Sequence, residues 1–181
     1  DVYFIDDLAY VCCGFGIVVV DMTRMEIRDT YIIGNNNTYI NVNDITLYNN
    51  KLYAATSRGV IFADYDNPNL ADHSQWQLDR SMIHDLVNYS EIETFNGRLI
   101  ANYSENKYNT DTMFVHDGTS WDYFLKDDNS IKREIKAYDD RLILSKHYSV
   151  MVYDKNINLL SNFANSLEPF ATTYDFNRNC Y

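Results

Sequence analysis

An internal repeat constrains the fold of this chain more than any other feature of its sequence. Three segments share an aromatic residue, two turn residues, a basic residue followed by leucine, an apolar run and a closing aspartate. They are LYNNKLYAATSRGVIFAD at 47–64, TFNGRLIANYS…MFVHD at 94–117 and AYDDRLILSKHYSVMVYD at 137–154. The leucine of this pattern recurs after 47 and then 43 residues. A period of this length predicts that each copy forms one supersecondary unit that stacks on its neighbours.

The first residues of the chain carry a fourth copy, in the stretch AYVCCGFGIVVVD at 9–21. A shift of 43 residues places Gly16 on Gly59 and Asp21 on Asp64 without a gap. The stretch therefore corresponds to LYAATSRGVIFAD, and we expect a strand, a tight turn and a second strand in both places.

Each copy is typical of four short strands joined by tight turns. Two-residue hairpins need positive φ at both central residues, which asparagine, aspartate and glycine tolerate. The turn pairs of the four copies are Asp6-Asp7, Asn49-Asn50, Asn96-Gly97 and Asp139-Asp140. The third strand is apolar at consecutive positions, as in Ile17–Val20 and Val60–Ala63. Such a run indicates a strand that is covered on both faces.

These features predict an all-β protein, a β-propeller made of four-stranded antiparallel blades. The approximate blades are 1–38, 39–86, 87–130, 131–169 and an incomplete 170–181. The incomplete blade is inferred from YDFNRNCY at 174–181, which resembles the start of another copy. We expect about four blades plus the start of a fifth, as a fragment of a larger ring. The alternative is a small propeller that the terminal strand closes.

Charge and hydropathy exclude several classes of partner. The net charge of −11 argues against nucleic acid and against an anionic membrane surface. The apolar run Ile17–Val20 is far shorter than the roughly 20 residues of a membrane helix. The sequence starts at Asp1 without an initiator methionine or a leader, so we expect a processed chain or a piece of a longer one.

The cysteines do not have the spacing of a metal site. Cys12 and Cys13 are adjacent, so their side chains point to opposite faces of a strand, and the four histidines do not pair with them. Cys12 occupies the position of Ala55 in the next copy, which suits a small buried thiol. Whether Cys180 pairs with either of them depends on whether the fifth blade lies near the first. We predict structural thiols, no metal and no cofactor.

Few residues in the sequence have the type and spacing that a functional site requires. The acids do not form a catalytic pair that stands out among 26, and Gly14-Phe15-Gly16 lacks the further glycine and the helix of a phosphate loop. The segment 64–72 reads as a solvated loop, with a weak cation site as the alternative. The third copy has an insertion at 102–112. Inserted loops often carry binding, so this loop is a weak candidate through Asn106, Lys107 and Tyr108.

Two stretches resemble known families. LYAATSRGVIFAD is similar to the core of the two-component-regulator propeller repeat, with Ala54-Ala55-Thr56 and Gly59-Val60 at matching places. The longer stretch at 11–45, VCCGFGIVVVDMTRMEIRDTYIIGNNNTYINVNDI, resembles the N-terminal propeller of PorZ-type proteins of the type IX (Por) secretion system of Bacteroidetes. The fourth copy departs from the pattern, because Ser149 replaces the glycine.

The resemblance implies a non-enzymatic interaction propeller of the periplasm or cell surface. Such a module would dock secreted cargo, a sortase-like protease or anionic lipopolysaccharide, together with the remaining blades of the same protein. One alternative is the periplasmic ligand-sensing propeller of a hybrid two-component regulator. A second alternative is the propeller of a carbohydrate-active enzyme.

Overall fold

A computed structural model describes residues 1–105, 110–125 and 131–164. Its strands form four sheets, and each sheet has four antiparallel strands in the order in which they occur along the chain. The predicted all-β fold with four-stranded antiparallel blades is confirmed. The residues predicted to start a fifth blade, 170–181, lie outside the described part of the chain.

Each blade consists of four consecutive strands. Blade 1 contains β1 (Val2–Ile5), β2 (Leu8–Cys13), β3 (Gly16–Asp21) and β4 (Glu26–Tyr31). Blade 2 contains β5 (Val42–Tyr48), β6 (Lys51–Thr56), β7 (Gly59–Asp64) and β8 (Gln77–Leu78). Blade 3 contains β9 (Tyr89–Phe95), β10 (Arg98–Glu105), β11 (Thr110–His116) and β12 (Trp121–Leu125). Blade 4 contains β13 (Lys132–Tyr138), β14 (Arg141–Lys146), β15 (Ser149–Asp154) and β16 (Leu159–Ala164).

Two short 3-10 helices lie in the connections, at Asn35–Asn37 and His73–Gln75. Among the described residues, no helix has both the length and the apolar character needed to cross a membrane.

The hairpins between the first and second strands have the predicted φ angles in two of the four blades. In blades 2 and 3 both central residues have positive φ, as predicted for Asn49-Asn50 and Asn96-Gly97. In blades 1 and 4 only the first central residue, Asp6 or Asp139, has positive φ. The expectation of positive φ at both positions is therefore wrong for the two Asp-Asp turns. Asparagine and glycine enter the left-handed region more readily than a second aspartate does.

The hydrophobic core lies between blades, in three clusters. One cluster joins blades 1 and 2, one joins blades 2 and 3, and one joins blades 3 and 4. Representative pairs are Tyr10 with Ile45, Val60 with Phe114, and Met113 with Leu142. The third strands are apolar at consecutive positions because a blade contributes side chains to the cores on both of its sides.

The glycine that begins the third strand allows a close approach of the chain. Gly16 and Gly59 occupy equivalent places, and a Cβ at either position would collide with a backbone carbonyl oxygen of the segment that passes over it. That oxygen belongs to Tyr31 in blade 1 and to Asp85 in blade 2. The shared glycine of the repeat therefore has a steric cause.

Candidate functional site

The predicted contact loop at Asn106, Lys107 and Tyr108 lies outside the described residues. The strands that flank it, β10 and β11, pair as far as Glu105 and Thr110. Two other arrangements within the described part of the chain bring polar side chains together: a buried cluster on the first strands of the blades, and a cleft on blade 2.

The loop at 64–72 uses its polar groups internally. The Asp66 carboxylate accepts a hydrogen bond from Asn50 Nδ2 at 2.7 Å, and the Asn67 side-chain oxygen accepts one from the Asn69 backbone at 2.9 Å. Asp72 accepts a hydrogen bond from Ser74 N at 2.9 Å and begins the second 3-10 helix. These contacts agree with the interpretation as a solvated loop.

The first strands of neighbouring blades bring acidic side chains together around one lysine. We name this group the inner-strand cluster; its members are Asp1, Asp44, Glu91, Glu93 and Lys136. Carboxylate oxygens of Asp1, Asp44 and Glu91 all lie within 4.8 Å of one another. Lys136 Nζ lies 3.1 Å from Asp1 Oδ2. The cluster therefore draws on all four blades.

Carboxylates of this cluster accept backbone hydrogen bonds from the next blade. Asp44, which is 5% exposed, accepts from Ile92 N at 2.9 Å and from Ile45 N at 2.8 Å. Glu93 accepts from Ala137 N at 3.4 Å. Blades 2 and 3 thus each have a polar connection to the next blade in addition to the apolar core, since a buried N–H group requires an acceptor.

Burial raises the pKa values of three carboxyl groups in this cluster. It raises the pKa of Glu91 to about 8 and that of Glu93 to about 7, and the charge of Asp44 acts in the same direction. Burial also raises the pKa of Asp44. Glu91 Oε2 is buried and forms no hydrogen bond with the described residues. A buried oxygen without a donor disfavours the ionised form. The group therefore connects blades through carboxyl groups of unequal burial, since Asp44 is buried and Asp1 is exposed.

The cleft lies on blade 2 and has a volume of about 640 Å³, within the usual range of ligand pockets. Three parts of the chain form it: the connection from blade 1, the turn between β6 and β7, and the segment around β8. Its floor is aliphatic and belongs to the core between blades 1 and 2. The floor residues are Ile33, Ile40, Ile61 and Leu78.

Local hydrogen bonds hold the walls of this cleft. Ser57 N donates to Asn41 O at 3.0 Å, and Gly59 N donates to Val87 O at 2.7 Å. The Trp76 indole N–H donates to Leu70 O at 2.8 Å, so its apolar ring lines the cleft while its polar atom is satisfied. The site is therefore formed by backbone contacts that do not depend on a ligand.

The rim of the cleft is aromatic and basic. Tyr39 is 77% exposed, and its ring lies edge-on to Phe15 with centroids 6.1 Å apart. Arg80 is paired with Asp85 at 2.7 Å. Arg58 is exposed and forms no ion pair with any residue that the structure describes. In a chain of net charge −11, this arginine is an available cation beside a cavity whose floor is aliphatic.

Sequence reasoning missed both arrangements. It assigned Gly14-Phe15-Gly16 to a turn, and Gly14 and Phe15 form the turn between β2 and β3, but it gave Phe15 no role beside Tyr39. The one available signal for the cleft was Arg58, which stands where the first copy has Phe15.

The adjacent cysteines both lie on β2 as free, half-buried thiols. Cys12 packs against the core between blades 1 and 2, while Cys13 Sγ contacts Val11 O at 3.6 Å. Burial raises the pKa of Cys12 to about 12, and the charge of Asp44 adds to the effect. The thiolate is the nucleophilic form. This environment suits the predicted structural role of Cys12.

We expect Cys12 to react slowly with a thiol reagent at pH 8. In a Cys13→Ser/Cys180→Ser variant, modification should be at least about 100-fold slower in the folded protein than in urea, because the thiolate is scarce. Absorbance of the released thiol product measures both rates. Similar rates in the two states would contradict the buried placement.

Comparisons with known proteins agree with this architecture. Residues 1–77 match the model of the PorZ N-terminal β-propeller domain of the type IX secretion system. No curated protein matches the chain by sequence. Among solved structures, the chain is similar to PorZ of Porphyromonas gingivalis, described as an essential bacterial surface component of that system. The identity is 14% and the TM-score 0.68, over 95% of this chain and 21% of that chain.

Two sensor structures from B. thetaiotaomicron are also similar. The extracellular domain of the putative one-component system BT4673 is 10% identical with a TM-score of 0.68, over 99% of this chain and 24% of that chain. The extracellular domain of the putative hybrid two-component system BT3049 is 12% identical with a TM-score of 0.57, over 99% of this chain and 31% of that chain.

At these identities the structural likeness establishes the fold, and the chain spans between a fifth and a third of the length of these proteins. The resemblance predicted from the stretch at 11–45 is confirmed by the family match. The chain is therefore a β-propeller, and its residues 1–77 match the PorZ N-terminal β-propeller domain.

Proposed function

We propose that this chain is a non-enzymatic β-propeller interaction module of a cell-envelope protein, and that its partners bind in the cleft on blade 2. The protein would be a type IX secretion component that docks partner proteins or a surface glycolipid. The observation that carries the proposal is the family match of residues 1–77. The surface location described for PorZ of P. gingivalis supports placement in the periplasm or at the cell surface.

The chemistry of the described residues supports a binding role. The buried carboxylates accept backbone hydrogen bonds between blades, so they are engaged in the scaffold. The cleft presents aliphatic, aromatic and basic groups that suit ligand binding, and the His73 side chain in its lining lies 3.7 Å from Asp72 Oδ1.

Further blades of the same protein would complete the propeller. Both ends of the described stack expose apolar side chains: Phe4 on β1 is 62% exposed, and Phe163 on β16 is 55% exposed. Exposed apolar patches of this kind mark surfaces that another element covers. The small share of each similar protein that the chain spans agrees with additional blades.

A sensor role is the second candidate, because the two extracellular sensor domains match 99% of the chain. In that case the cleft would bind a small ligand, and the same polypeptide would continue into a membrane helix and a signalling domain. The coding sequence downstream of residue 181 discriminates the two candidates.

An affinity capture from the native envelope tests the first proposal. The intact protein carries an affinity tag at its chromosomal locus, and brief cross-linking precedes extraction and mass spectrometry. Secretion components should be enriched at least about tenfold over an unrelated tagged envelope protein, as expected for a specific complex. Recovery of no secretion component, with the tagged protein correctly located, would contradict the proposal.

A further inference from the structure

The cleft on blade 2 is suited to one apolar side chain at its floor. Ile33, Ile40 and Ile61 are buried beneath it, and they belong to the core between blades 1 and 2. Leu86 stands at the rim and is 61% exposed. An aliphatic floor of this kind accepts an aliphatic or aromatic side chain, whereas a sugar hydroxyl placed on the floor would lose water without gaining a partner there.

The basic part of the rim is suited to a single carboxylate. Arg80 is neutralised by Asp85 at 2.7 Å, which leaves the Arg58 guanidinium as the available cation of the cleft within the described part of the chain. Guanidinium and carboxylate form paired hydrogen bonds of matching geometry. The overall charge of −11 would repel a strongly acidic partner, so one carboxylate fits the electrostatics better than an acidic tract.

The cleft is also large enough to hold more than one residue of a bound chain. Its volume of about 640 Å³ exceeds that of one side chain. Polar side chains such as Asn35, Thr38 and Gln77 lie along it and offer hydrogen-bond partners for a peptide backbone. The Tyr39 ring is exposed at the rim and supplies apolar area at little cost in conformational entropy.

We propose that the cleft on blade 2 binds an extended peptide segment of a partner protein, in which an apolar side chain enters the floor and a neighbouring carboxylate pairs with Arg58. This inference rests on the proposed function as an interaction module and names the chemistry of its partner. An acidic oligosaccharide is the competing ligand, and the test below separates the two.

Selection from a random heptapeptide display library tests the proposal on the intact protein. Enriched peptides should share an apolar residue within two or three positions of an aspartate or glutamate. The most enriched peptide is then synthesised, and its dissociation constant is measured by calorimetry. Arg58→Gln and Leu86→Ser should each weaken binding about tenfold, as expected for one charge-assisted hydrogen bond or one apolar contact.

Matched controls isolate the cleft from general charge effects. Arg24→Gln removes an exposed arginine from the turn between β3 and β4, which does not line the cleft, and should leave the affinity unchanged. Replacing the acidic residue of the peptide by its amide should weaken binding to the wild type about tenfold and to Arg58→Gln little. Thermal unfolding verifies that each variant is folded.

Several outcomes would overturn the inference. They are the absence of any enriched sequence, enriched peptides without an acidic residue, equal peptide affinity for Arg58→Gln and the wild type, and calorimetric binding of an acidic oligosaccharide where no peptide binds. If envelope capture with Arg58→Gln and Leu86→Ser still recovers the secretion components, the peptide site fails while the interaction module stands. If capture fails with the wild type and the peptides still bind, the proposed function alone fails.

Discussion

Replacing Gly59 with alanine is expected to lower the free energy of unfolding by about 3 kcal/mol, because strain and overpacking act together. Gly59 has φ +107°, a conformation that residues with a Cβ rarely adopt. An added Cβ would collide with the Asp85 carbonyl oxygen and lie 2.5 Å from Leu78 Cδ1. Relief would require the segment around Asp85 to move, which would break the hydrogen bond from Gly59 N to Val87 O.

Gly97→Asn is the matched control for this substitution. Gly97 also has positive φ, +73°, but no atom lies within 4 Å of its Cβ position. Asn50 occupies the equivalent turn position in blade 2 with φ 60°. The control should therefore change stability by less than about 1 kcal/mol. Urea unfolding followed by fluorescence of the buried Trp76 and Trp121 measures both effects. An equal fall in the free energy of unfolding for Gly59→Ala and Gly97→Asn would show that the close approach of the Asp85 carbonyl to Gly59 does not affect stability.

The free energy of unfolding is expected to fall by roughly 5 kcal/mol between pH 5 and pH 8, because the inner-strand cluster must ionise while buried. Burial raises the pKa of Glu91 to about 8 and that of Glu93 to about 7, both above the ordinary glutamate value. A carboxyl group with a raised pKa in the folded state binds its proton more tightly there than in the unfolded chain. Its contribution is complete below the ordinary pKa and is lost as pH rises through the folded-state pKa.

Surface carboxylates act in a different pH range. Hydrogen bonds from Thr119 lower the pKa of Asp117 to about 2, so its contribution to stability is lost only in stronger acid.

The double variant Glu91→Gln/Glu93→Gln removes both groups with raised pKa values and should flatten the stability profile between pH 5 and pH 8. Asp122→Asn, on the exposed face of β12, should leave its slope unchanged. A profile that stays equally steep in the double variant would contradict the assignment to the inner-strand cluster.

The local features of the blades were accessible from the sequence for a physical reason. The turn pairs, the apolar third strands and the glycines at Gly16 and Gly59 each depend on a few adjacent residues, and those local preferences repeat in each copy. The turns at Asp6 and Asp139 departed from expectation because the choice between related turn geometries depends on more than residue type.

The two polar arrangements could not be predicted in the same way. Asp44 meets the backbone of Ile92, which is 48 residues away in the chain, and Lys136 meets Asp1 across 135 residues. Such contacts depend on how the blades are rotated and packed against one another. A period in the sequence gives the length of a blade but not the orientation of one sheet on the next.

By itself, the sequence determined that this chain forms four-stranded antiparallel blades, because hairpin turns and strand periodicity are local properties that recur in every copy. Only the tertiary structure decided which side chains meet between the blades and which line the cleft. Packing of blade on blade buried the inner-strand carboxylates and raised their pKa values, and it placed Arg58 beside an aliphatic cavity built from the connection between blades 1 and 2. Burial and the convergence of distant side chains are properties of the assembled sheets, and no single repeat contains them.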